Sequence, residues 1–134
     1  MLFDLALTFR LTQEPITALQ RMAGFVEQTA AAAGVNDPAL QMTIGISDGQ
    51  RIYAARYASG AEVNTLFISE DAASVRMLYP ANERLAHFSN DTRVVVSEPL
   101  AHLPGLWREV PAATVLVIGE DIEQRDSPDS AVDR

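Results

Sequence analysis

Apolar and polar positions alternate most regularly over residues 40–57, LQMTIGISDGQRIYAARY, where Asp48-Gly49 separates two apolar runs. Asp-Gly in that setting predicts a β-hairpin closed by a two-residue turn. Such a turn pairs Ser47 with Gln50, Ile44 with Tyr53 and Met42 with Ala55. One face then carries Met42, Ile44, Ile46, Tyr53, Ala55 and Tyr57. The other carries Thr43, Gly45, Ile52 and Ala54, with Arg56 towards its end. Neither face is polar enough to meet water. The bulky face suits helices, and the small-residue face suits a second sheet about 10 Å away. The hairpin is therefore expected to be an inner layer of an α/β sandwich.

Residues 2–11 are apolar almost all round, which predicts a helix buried on most sides. No Ser, Thr, Asp or Asn precedes this pattern as an N-cap, so the start is expected to be a truncation. Glu14-Pro15 marks a second helix start. Ile16, Leu19, Met22, Ala23, Val26, Ala30 and Ala33 then recur at helical spacing until Gly34 stops the pattern. Beyond the hairpin, residues 64–69 predict a third strand. Glu70-Asp71 opens a short helix ending near Tyr79-Pro80, and residues 81–90 read as a further helical turn with loop. Residues 92–97 and 114–119 are near-continuous β-branched or aliphatic runs, expected as strands buried on both faces. Pro99, Pro104, Gly105 and Pro111 predict irregular chain between them.

The 134 residues allow one domain, assigned here to residues 1–120, followed by a polar, flexible tail at 121–134. No apolar run approaches the roughly 20 residues of a membrane span, and the first ten residues are not expected to be a secretory signal. A cytoplasmic location without membrane contact is expected. The chain has no cysteine, which excludes disulfides, thiolate metal sites and a cysteine nucleophile within it. All ten basic residues are arginine, so Schiff-base chemistry is excluded too. A net charge of −8 argues against nucleic acid as partner.

Few residues suggest chemistry. His87 and His102 are the two histidines, and they lack the spacing of a helical ligand pair. Ser97-Glu98-Pro99 ends an aliphatic strand, where a buried carboxylate could work as a general acid or base. The competing reading has Glu98 bound to backbone or to Arg93 or Arg108. Trp107 reads as an aromatic plug over the core. No phosphate loop or nucleophile elbow is present.

Three stretches together resemble the C-terminal half of the class II glutamine amidotransferases, which are N-terminal-nucleophile (Ntn) hydrolases. They are TIGISDGQRIYAARY at 43–57, NTLFIS at 64–69, and RVVVSEPL at 93–100 followed by WREVP at 107–111. The opening LFDLALTFRL also resembles a helix of that family. The resemblance spans residues 1–120 and implies a four-layer α-β-β-α sandwich with mainly antiparallel sheets. It implies release of ammonia from glutamine or a related γ-glutamyl amide, with an N-terminal cysteine as nucleophile. That cysteine, the arginine for the substrate carboxylate, the oxyanion hole and the aspartate that grips the amine have no counterpart in this chain. No catalytic, cofactor-binding or metal-binding residue is carried over.

The expectation is thus a scaffold half of an amidotransferase-like protein, catalytically incomplete as this chain. Its partner would be the N-terminal half of the same domain or a second copy. The alternative is a stand-alone, non-enzymatic α/β oligomerisation or binding module. A small hydrolase built on Glu98 and His102 is a third possibility.

Overall fold

Residues 1–35, 37–60, 62–99 and 103–126 are described by a computed structural model. The chain divides into two units, Met1–Asn64 with Ala112–Arg134, and Thr65–Pro111. Mixed helix and antiparallel sheet, as expected, make up both.

The first unit begins with helix α1 (Leu2–Thr8), shorter than the apolar run. It stops because Arg10 adopts a left-handed φ of 69°. The N–H of Leu11 then donates to Ala6 O at 3.1 Å and that of Arg10 to Leu7 O at 3.0 Å. This is a Schellman closure with arginine where glycine is usual. Helix α2 (Pro15–Ala32) ends the same way, with Gly34 at φ 74° and the N–H of Val35 donating to Ala30 O at 2.9 Å. Here the glycine made the stop legible in advance. Ala18, Leu19, Met22 and Ala23 form the buried stripe of α2, flanked by half-buried Ile16 and Val26. Burial of α1 departs from expectation. Ala6 is 2% exposed, but Phe3 is 59% exposed, and Leu2 and Leu7 are exposed as well. The helix lays one narrow side on the core and leaves the rest of its apolar surface outside.

Four antiparallel strands follow, in the sheet order β1-β2-β6-β7: β1 (Gln41–Ser47), β2 (Ile52–Ala58), β6 (Thr114–Ile118) and β7 (Ile122–Asp126). The hairpin register differs from the two-residue Asp-Gly expectation. Ser47 lies opposite Ile52, Ile46 opposite Tyr53, Ile44 opposite Ala55 and Met42 opposite Tyr57. The physical reason is the Asp48 side chain. Its Oδ1 accepts the N–H groups of Gln50 at 2.9 Å and Arg51 at 2.7 Å, while the Asp48 N–H donates to Arg51 O at 3.2 Å. Gly49-Gln50 therefore occupy the tip, with Gly49 at φ 91°, the first-position glycine that a type II′ turn requires. The slip is by two residues, so each side chain keeps its face. Met42, Tyr53, Ala55 and Tyr57, joined by Val115 and Val117, pack under both helices as the core of this unit.

Strand β6 is buried throughout, as its aliphatic run predicts. Of the segment 121–134 expected as a flexible tail, residues 122–126 form strand β7, and residues 127–134 lie outside the described residues. Residues 122–126 pair with β6, Val115 opposite Arg125 and Val117 opposite Glu123. An edge strand needs a backbone partner but no apolar face, so composition did not reveal it.

The second unit holds a three-stranded antiparallel sheet in the order β4-β3-β5: β3 (Phe67–Ser69), β4 (Val95–Val96) and β5 (Trp107–Glu109). Helix α3 (Ala72–Leu78) is capped by Asp71, whose Oδ1 accepts the Ser74 N–H at 2.6 Å. Helix α4 (Glu83–Ala86) supplies the expected further turn. Two expectations are corrected. β4 is a two-residue, half-buried strand, and β5 forms inside the proline-rich connection. Pairing with β3, Phe67 opposite Glu109 and Ser69 opposite Trp107, suffices to order that segment.

Candidate functional site

In the first unit, residues of α2 share the core cluster with residues of β1, β2 and β6. A groove of about 1270 Å³ is lined by Gln20 and the start of α2, by Arg51 and Tyr53, and by Val117, Glu123 and Arg125. Sheet register places Tyr53, Val117 and Glu123 in one row across its floor. Arg125 Nη2 donates to Glu123 Oε2 at 2.9 Å, and this bond with the arginine's charge holds the Glu123 carboxyl below its ordinary pKa. At the hairpin end, Tyr53 Oη donates to Asp48 Oδ2 at 3.4 Å. The Asp48 carboxyl is also held low, chiefly by the Arg51 N–H and then by that of Gln50. The groove offers guanidinium, carboxylate, amide and phenol groups for hydrogen bonding. None of its lining residues is a thiol or an imidazole.

The residues singled out from the sequence lie elsewhere. His87 is exposed at the C-cap of α4. His102 lies outside the described residues. Ser97 and Glu98 are both exposed just after β4, so Glu98 is not the buried carboxylate considered as an acid or base. Arg108 pairs with Glu70 at 3.6 Å, and Arg93 Nη1 reaches the carbonyls of Asp91 and Thr92. Trp107 is half-buried, and its indole N–H has no hydrogen-bond partner among the described residues. No group of three or more His, Cys, Asp or Glu able to hold a metal ion occurs among the described residues.

One functional-looking residue was missed. Arg56 is 8% exposed in the middle of the sheet, between Thr43 of β1 and Thr114 of β6. Its Nε donates to Asn64 O at 2.8 Å, tying the chain after β2 back onto the strand. A basic residue near the end of a hairpin face is ordinarily solvated, so the sequence held no signal of this burial.

No known family profile matches the chain, and no curated protein matches it. Among solved structures it is similar to a glutamine aminotransferase class-II domain protein from Silicibacter pomeroyi, at 31% identity and a TM-score of 0.72. The match covers 93% of this chain and 49% of the other, so the chain spans about half the length of that protein. Fold and sequence are shared with that protein over nearly the whole of this chain.

Proposed function

We propose that this chain is the C-terminal, scaffold half of a class II glutamine amidotransferase-like domain, and that it is catalytically incomplete alone. The observation that carries the reading is the asymmetry of the match, 93% of this chain against 49% of its relative, in a chain with no cysteine. In the complete protein, a cysteine thiolate from the other half attacks the side-chain amide carbon of glutamine or a γ-glutamyl amide. The tetrahedral oxyanion collapses as the amide nitrogen takes the proton that the thiol gave up and leaves as ammonia, and water then hydrolyses the thioester to a carboxylate and frees the thiol. The contribution of the present chain is a rigid sheet and helix scaffold for that cysteine segment. No described helix is long and apolar enough to cross a membrane, and a cytoplasmic location belongs to this reading.

The test is ammonia release from glutamine. Purified chain should stay at background, and co-expression with the reading frame upstream of Met1 should restore a cysteine-dependent activity. Turnover by the chain alone that survives purification and is lost in Glu98→Gln would overturn the reading.

A further inference from the structure

Asp48 is the one aspartate or asparagine of this sequence that is followed by glycine. In a flexible chain that pair reacts with itself. The main-chain nitrogen of the glycine attacks Cγ of the protonated aspartate. A C–N bond forms, the C–O bond to the hydroxyl breaks, and the hydroxyl leaves with the hydrogen of the N–H as water. Water then opens the resulting succinimide at either carbonyl. One opening restores aspartate, and the other gives isoaspartate, in which the main chain runs through Cβ. Glycine favours ring closure because no Cβ crowds the attacking nitrogen.

The hairpin tip holds both reacting groups away from this path. The Gly49 N–H donates to Ser47 Oγ at 3.1 Å, which fixes the peptide plane and engages the hydrogen that the nitrogen must lose. Asp48 Oδ1 accepts the N–H groups of Gln50 and Arg51, and Oδ2 accepts the Tyr53 hydroxyl. Both carboxylate oxygens are thus held towards residues beyond Gly49. The Arg51 N–H first, and then that of Gln50, keep the carboxyl below its ordinary pKa, and an ionised carboxylate has no hydroxyl to release. Every one of these bonds lies within residues 47–53, so the arrangement depends on no segment outside the hairpin. Residues 47–50 are all exposed, and a local opening of the tip is enough to undo it.

We propose that Asp48-Gly49 is a self-modification site that the hairpin tip keeps closed, and that isoaspartate forms at residue 48 in chains whose tip has opened. The product cannot rebuild the tip. Its main chain is longer by one atom between the N–H that bonds Arg51 O and the Gly49 nitrogen. Its free carboxylate sits on Cα, one bond short of the position from which Oδ1 reaches the Gln50 and Arg51 N–H groups. The register set by this turn carries Met42, Tyr53, Ala55 and Tyr57 into the core of the first unit. A chain that stays open long enough to react therefore loses the pairing on which that core is built.

The chemistry is independent of the amidotransferase reading, which the ammonia assay tests separately. The whole chain is incubated at neutral pH, folded in buffer or unfolded in urea, and isoaspartate at residue 48 is counted by peptide mapping. Methyl transfer to the new carboxylate by an isoaspartyl methyltransferase gives a second count. The unfolded chain should accumulate the product about tenfold or more faster than the folded one. Ser47→Ala frees the Gly49 N–H and leaves both Oδ1 bonds in place. It should raise the folded rate about two- to tenfold, the worth of one hydrogen bond, and leave the unfolded rate unchanged. Chain carrying isoaspartate at residue 48 should fail to regain the circular dichroism that fresh chain regains after the same urea cycle. Equal rates in folded and unfolded chains, a folded rate indifferent to Ser47→Ala, or full refolding of the modified chain would each overturn the proposal.

Discussion

The same chemical change, glycine to alanine, should move stability in opposite directions at two positions. Gly49 sits at the hairpin tip with φ 91°, and nothing lies within 4 Å of an added Cβ, so the cost of a side chain there is entirely backbone strain. A left-handed conformation costs an L-residue roughly 1–2 kcal/mol. The loop cannot relax cheaply, because the Asp48 carboxylate holds the next two N–H groups and Ser47 Oγ accepts the Gly49 N–H at 3.1 Å. Gly24 lies inside α2 with ordinary helical φ and equally open space. There alanine should gain about 0.5–1 kcal/mol by restricting the unfolded chain. For a chain of this size each kcal/mol is worth roughly 3–5 °C of Tm. Gly49→Ala should therefore melt roughly 3–10 °C below the parent and Gly24→Ala roughly 2–5 °C above it. Thermal and urea unfolding, at a fixed protein concentration, read both. If Gly49→Ala matched the parent, the turn assignment and the strain argument would fail together.

Further expectations follow from particular contacts. Leu19→Ala, at a core position 2% exposed, should cost about 2–5 kcal/mol, read as a shift in urea midpoint; a loss under 1 kcal/mol would mean that α2 does not pack as described. Arg56→Leu leaves Asn64 O without its buried donor and should cost roughly 1–3 kcal/mol, with faster amide exchange around residues 62–66 as its local signature. Arg10→Gly should be neutral or stabilising, because it relieves a left-handed arginine while losing only an exposed 3.4 Å pair with Glu14; a clear drop in Tm would show that the pair matters. The carboxyls of Asp48, Asp71 and Glu123 are all held below their ordinary values by hydrogen bonds. Their stabilising effect is therefore complete above the unfolded values near 4 and is lost as pH falls through the lower folded values. Asp48→Asn should flatten this acid loss in unfolding midpoints measured below pH 5, and an unchanged slope would remove Asp48 from the account.

Much of the candidate chemistry was not legible because residue type does not report surroundings. Glu98 and His87 looked usable as acids, bases or ligands, and both are exposed to water. Arg56 was placed towards the end of one hairpin face, with nothing to mark it as buried, and it is 8% exposed. The groove beside β7 could not be anticipated, since β7 itself has no apolar pattern to announce it.

Periodicity alone determined the buried stripe of α2, the stop at Gly34 and the two faces of the hairpin. Those faces survived a register error of two residues because side chains in a strand repeat every second position. The wholly buried β6 was equally plain from its unbroken aliphatic run. Tertiary structure decided the rest. The Asp48 carboxylate chose which residues form the hairpin tip, and β3 turned part of a proline-rich connection into a strand. β6 ordered a polar segment as β7, and the geometry of α1 left most of an apolar helix in water. In each case the deciding energy is a particular hydrogen bond or packing contact, whether with a residue two or three positions away, as at Asp48, or with a separate strand, as between β3 and β5. Local pattern carries no information about such a partner until the fold brings the two together.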